Sequence, residues 1–291
     1  MNASGFGHRH RAAAGMVPGV VAELGGRAVH WVHRPGARPT VLLLGGCGVP
    51  YYTWDRVLDE LSEIEVVTLD RPGLVGTPWP GVLPQLGHEV ASLTDLVHHL
   101  DGPVVLVAHS MAGLHAEALA RQHPCLVVAM VLIDASVEWN PRPPRFPGRW
   151  LWAARGVHAL FRWTAVRPAG SFADRVLVTS QSRRKLLDPM PAAAQAVYQS
   201  LDAAASVVAE QGAYGQQVWD LSLLRRRAPF PDIPVAVLTA AAKKQSGWVR
   251  DQARLAELLG GDHLVTTDSR HLVMLDRPDL VAAAIRQVLP G

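Results

Sequence analysis

Short apolar stretches recur along the chain: AVHWVH (28–33), TVLLLGG (40–46), IEVVTLD (64–70), PVVLVAHS (103–110), VVAMVLIDAS (127–136), IPVAVLTA (233–240) and DHLVTT (262–267). Each is rich in Val and Leu and mostly apolar on both faces, the pattern of parallel strands covered on two sides. Between them apolar residues fall at helical spacing. Residues 85–100 set Leu86, Val90, Leu93, Leu96, Val97 and Leu100 on one face, 112–122 and 249–259 are similar, and Pro278 opens a final helix through Leu289. The alternation breaks once. Nearly a hundred residues between Asp134 and Ile233 show no strand pattern. They open with the proline-marked boundary WNPRPPRFPGRWLW and continue mainly helical, carrying Trp150, Trp152, Phe161 and Trp163. The pattern predicts a doubly wound α/β fold with a mostly parallel sheet. Its core would be residues 21–137 and 229–291, with a helical cap over 138–228 inserted before the penultimate core strand. Residues 1–20 are basic and small-residue-rich and lack the apolar centre of a secretory signal, so a disordered leader is expected there.

Composition narrows the class. With 291 residues, 49% apolar and 18% charged, the chain has the balance of a globular domain large enough for one core and an insertion. The longest apolar run, CLVVAMVLI, is too short to cross a bilayer as a helix, so no integral membrane segment is expected. Cys47 and Cys125 are too few for a disulfide framework and fit a reducing, cytoplasmic setting. The net charge of +3 hides an asymmetry, because residues 138–228 hold thirteen Lys or Arg against six Asp or Glu. Apart from Arg183–Lys185 and Arg225–Arg227 these do not cluster as a nucleic-acid footprint would. They form either a solvated basic face or a docking surface for an acidic carrier protein or anionic lipid. No His/Cys/Glu grouping has zinc-ligand spacing and no glycine-rich loop follows a first strand in dinucleotide fashion, so neither metal nor cofactor is expected.

The chemistry concentrates in VLVAHSMAG (105–113), where a buried strand runs into Ser110 and a helix follows with no turn residues between. A serine there is either a helix cap or a nucleophile lifted onto a strained corner. The stretch Ala108-His109-Ser110-Met111-Ala112 resembles the nucleophile elbow of the α/β-hydrolase family, with alanine at both glycine positions of G-x-S-x-G. A serine hydroxyl needs a base. Among thirteen histidines His271 is best placed, in a loop at the carboxyl edge, and DSRHLVMLDRPDL resembles the family's terminal histidine segment. His263 would sit at the opposite edge, His98, His99 and His115 lie on helices, and the His109 side chain should point away from the site.

The resemblance implies an acid that orients the base. The family most often supplies it after the strand written here IPVAVLTA, but AAKKQSGW holds no acid before Asp251, which reads as helix. Asp134, one strand earlier in VLIDASVEW, resembles the arrangement of a branch of the haloalkane dehalogenases. It could instead only hold a loop, leaving Asp251 as the alternative. The loop Gly45-Gly46-Cys47-Gly48 resembles the family's His-Gly-x segment with Gly45 replacing the histidine, which implies an oxyanion hole of the Met111 and Cys47 N–H groups; the alternative is a glycine-rich turn with no catalytic role. Asp70 is expected to be structural, and the Cys47 thiol a small loop residue.

The resemblance implies a serine hydrolase cleaving an ester or thioester of a small, largely apolar substrate through an acyl-enzyme. The same residues would also suit acyl transfer, C–C bond hydrolysis or lyase chemistry, and a non-catalytic binder on the same scaffold remains a further reading.

Overall fold

A computed structural model describes residues 18–146, 148–163, 178–184, 200–242 and 246–290. The leader expected at 1–20 therefore lies, up to residue 17, outside the described residues. Eight strands form one sheet: β1 (Val20–Leu24), β2 (Arg27–Arg34), β3 (Ala37–Leu44), β4 (Ile64–Asp70), β5 (Val104–His109), β6 (Val127–Ile133), β7 (Val235–Ala240) and β8 (Asp262–Thr266), in the order β1-β2-β4-β3-β5-β6-β7-β8. The pairs β1/β2 and β2/β4 are antiparallel and the rest parallel. β4 and β5 are buried along their whole length, which is why their apolar runs show no alternation.

Helices fill both faces. Leu86–His99 (α2), Ala112–Gln122 (α3) and Ser246–Leu258 (α6) share one apolar cluster with Leu106, Ala108 and Leu132 of the central strands. On the other face Asp55–Glu60 (α1), Val273–Asp276 (α7) and Pro278–Val288 (α8) pack on Val105, Val107, Val131 and Leu238. Each Leu or Val buried this way contributes about 1.5–3 kcal/mol over leaving it in water.

Between β6 and β7 run Gly148–Trp163 (α4) and Leu201–Arg225 (α5). The α5 stripe that faces inward is Ala203, Ala205, Ser206, Ala209 and Ala213, small enough for close approach, with one acid, Glu210, among them. Trp150 of α4 lies over Gly212, where an added Cβ would come within 2.3 Å of the tryptophan Cβ. Trp152, by contrast, is 73% exposed. The side chains of Phe161 and Trp163 lie outside the described residues.

The hydrophobic pattern missed β1. Val20 and Val21 are exposed and only Leu24 is buried, so this edge strand never reads as two-sided apolar. Its signal was the turn: Gly25 and Gly26 have φ of 60° and 70°, the left-handed pair that a two-residue hairpin demands.

Candidate active site

The corner at Ser110 is built from backbone. Ser110 has φ 54°, a left-handed conformation that costs a residue with a Cβ about 1–3 kcal/mol. Three hydrogen bonds hold it there: its N–H donates to Ile133 O, and its carbonyl accepts from Gly113 N and Ser136 N, each at 3.0 Å. Ala108 and Ala112 are fully buried on either side. The tightest contact falls one residue beyond the motif, because a Cβ on Gly113 would stand 2.9 Å from Ala135 Cβ.

His271 lies between β8 and α7 and reaches back across the sheet edge. Its Nε2 is 2.9 Å from Ser110 Oγ, and its Nδ1 is 2.6 Å from Asp134 Oδ2. With Nδ1–H donating to the carboxylate, Nε2 is left to accept the serine proton. Asp134 is itself in a left-handed corner, φ 43°, with its N–H on Leu238 O at 2.7 Å. Its other oxygen, Oδ1, accepts from the Trp248 indole Nε1 at 2.7 Å and from Ala240 N at 3.1 Å. A carboxylate only accepts, and three donors surround it here. The end of β7 and the helix that follows it thus supply donors to an acid carried by the neighbouring strand. Trp248 and Ala240 were not foreseen in this role. Asp251 sits on α6, and His271 Nδ1 is already taken by Asp134.

His109 does not point away from the site. Its Nε2–H donates to the backbone carbonyl of His271 at 3.0 Å, and the two rings lie 4.6 Å apart. Ser110 leaves the extended conformation, so the strict alternation that would separate neighbouring side chains ends there. Burial, and then the proximity of His271, hold the His109 imidazole well below its ordinary pKa, so it is neutral. His263 bonds Thr239 and His115 bonds Gln217, both away from Ser110. Asp70 is fully buried between the Tyr51 amide and His30, a structural use.

The loop Gly45–Gly48 closes against the serine. A Cβ on Gly46 would lie 2.8 Å from both Ser110 Cβ and His109 Nδ1, so only glycine lets this backbone approach. No hydrogen bond among the described residues occupies the N–H of Cys47 or of Met111. The Cys47 thiol contacts Val207 O at 3.7 Å, and burial together with the nearby Glu210 carboxylate pushes its pKa up. It stays protonated and is no competing nucleophile. A cavity of about 330 Å³ opens on the Asp134–His271 flank, lined by Ser180, Gln181, Trp248 and Arg270. No helix among the described residues is long and apolar enough to cross a membrane.

This fold has known counterparts. Residues 40–284 match the family model described as alpha/beta hydrolase family, and the chain belongs to that family. It is 29% identical over 272 residues to lipase LipV of Mycobacterium tuberculosis, covering 88% of this chain and 95% of the relative. It is also 28% identical over 270 residues to esterase Rv0045c of the same organism, covering 87% and 84%. Among solved structures, a thermophilic esterase from Thermogutta terrifontis superposes with a TM-score of 0.69 at 20% identity, over 93% of this chain and 97% of that one. The protein is an enzyme of the hydrolase class.

Proposed function

We propose that the protein is a serine esterase acting on small, largely apolar carboxylic esters, with Ser110 as nucleophile, His271 as base and Asp134 as the orienting acid. The observation that carries this reading is the continuous relay from Ser110 Oγ to His271 Nε2 at 2.9 Å and from His271 Nδ1 to Asp134 Oδ2 at 2.6 Å. Ser110 Oγ attacks the ester carbonyl while His271 takes its proton, and the carbonyl oxygen becomes an anion facing the Met111 and Cys47 amides. Collapse expels the alcohol, protonated by His271, and leaves an acyl-serine. Water deprotonated by His271 then releases the acid. The described helices of this insertion, α4 and α5, act as part of a cap over the strand ends. A serine at the elbow also argues against haloalkane dehalogenase and epoxide hydrolase chemistry, whose family members carry an aspartate there.

A fluorophosphonate probe tests the nucleophile. Labelling of the wild type that is lost in Ser110→Ala and His271→Ala is expected, and an unreactive wild-type serine would remove Ser110 as the nucleophile. A panel of p-nitrophenyl esters of rising chain length defines the acyl preference, and product analysis separates ester hydrolysis from acyl transfer, C–C bond hydrolysis and lyase chemistry. A second reading, hydrolysis of an ester or thioester on an acidic carrier protein, is favoured by the exposed face of α4, where Arg149 and Arg155 flank Trp152. It predicts turnover that falls with salt for carrier-bound substrate only.

A further inference from the structure

Arg71 is a buried arginine whose guanidinium is spent on the loop beside the serine. Its Nη1 donates to Gly45 O at 2.6 Å and its Nη2 to Gly46 O. On the other side, Nε and Nη2 meet the Glu210 carboxylate at 2.7 and 3.1 Å, and Glu210 Oε2 also accepts from Gly48 N at 2.8 Å. Both side chains are almost entirely buried. Burial alone would lower the Arg71 pKa, but the Glu210 carboxylate overrides it and holds it above the ordinary value. The cation is permanent.

The peptide unit matters here. Gly46 C=O and Cys47 N–H belong to the same planar trans group, so the two bonds point in opposite directions. Gly46 O accepts from Arg71 and also from Val49 N at 3.1 Å, and holding that oxygen holds the N–H on the far side. A cation at the oxygen also draws electron density along the amide and makes the N–H a stronger donor. The Gly45 carbonyl does the same for the Gly46 N–H. Glu210 projects from α5, within the proposed cap, so the cap supplies a counter-charge to this cation.

We infer that Arg71 is a positioning residue for the oxyanion hole, aligning and polarising the Cys47 amide through the Gly46 carbonyl, with Glu210 of the cap as its anchor. This rests on the serine-esterase reading above. It differs from a merely structural ion pair in one respect: the work is done by the cation on the carbonyls, and the carboxylate serves only to hold it.

The test compares Arg71→Met with Glu210→Gln. Glutamine keeps one acceptor oxygen for Arg71, and the bonds from the guanidinium to the Gly45 and Gly46 carbonyls do not pass through residue 210. Steady-state kinetics on p-nitrophenyl butyrate are read beside inhibition by an aryl trifluoromethyl ketone, which Ser110 adds to as a hemiketal: the O–C bond forms, the carbonyl pair moves to oxygen, and the serine proton goes to His271. Arg71→Met is expected to lower kcat on the order of 10- to 100-fold with KM within about threefold, and to weaken the ketone in parallel. Glu210→Gln is expected to lose less than about fivefold in both, although thermal unfolding is expected to show the two variants similarly destabilised. Equal losses of kcat in the two variants, or a ketone affinity unchanged in Arg71→Met, would overturn the inference. Should Arg71→Met fail to fold, Arg71→Lys keeps the charge but cannot fork onto two carbonyls. An intermediate loss of about 3- to 10-fold is then expected, and wild-type kinetics would be fatal to the proposal. A wild-type enzyme that forms no ketone adduct would instead sink the esterase reading itself, so the two failures are distinct.

Discussion

Two corners stand side by side at the carboxyl ends of β5 and β6, one carrying Ser110 and the other Asp134. Both residues are left-handed without being glycine, and the corners are knitted together, since Ser110 N donates to Ile133 O and Ser136 N donates to Ser110 O. They differ in how the functional side chain is held. Ser110 is aimed by main-chain bonds and by small neighbours, so its orientation is written within a few residues of chain. Asp134 is aimed from outside, by an amide from β7 and an indole from α6. A nucleophile must present one atom in one direction, which a backbone can dictate. A carboxylate that steadies an imidazole needs its second oxygen occupied, and that requires partners from other elements.

Breaking the acid corner should have the largest effect. Asp134→Asn turns an acceptor of the His271 proton into a donor and is expected to cut kcat by about 10⁴-fold with the fold intact. Near-normal ester turnover would move the acid elsewhere, to Asp251 in the first instance. Trp248→Phe leaves the charge and removes the side-chain donor. The loss of a hydrogen bond to a charged group, about 1.5–3 kcal/mol, predicts kcat reduced roughly 10- to 100-fold with little change in KM.

The serine corner is sharpened by packing changes. Gly113→Ala drives a methyl into Ala135 and should cost about 1–3 kcal/mol, read as a lowered thermal midpoint. His109→Gln probes acid stability. In the unfolded chain this imidazole binds a proton below its usual value of about 6.5, whereas the buried one does not until far lower. Stability therefore falls as pH drops below about 6.5, by at most about 1.4 kcal/mol per unit for one proton. The variant should lose that portion of the slope, measured by denaturant titration between pH 7 and 5. The smallest effect belongs to Ala108→Gly, which restores the family glycine inside a strand: about 0.5–1 kcal/mol of stability and rates within twofold.

The same contrast explains what could be read from the chain alone. The buried parallel strands were legible because their two-sided burial is written locally, and α3 was legible for the same reason. Ser110 and His271 stood out through short motifs on either side of them. Trp248 did not, because nothing near it in the chain says that its indole reaches a carboxylate 114 residues earlier. His109 was misjudged because alternation was extended through a residue that leaves the strand conformation. β1 was missed because an edge strand with exposed valines carries its signal in the glycine pair that follows it.

The bond between Trp248 and Asp134 makes an optical reporter out of the acid. An indole with its N–H on a carboxylate, beside an imidazole that gains and loses a proton, changes its emission with the field those groups set. The difference between the wild-type and Trp248→Phe fluorescence spectra, followed against pH or during acylation, would report directly on the charge of the relay without any added dye.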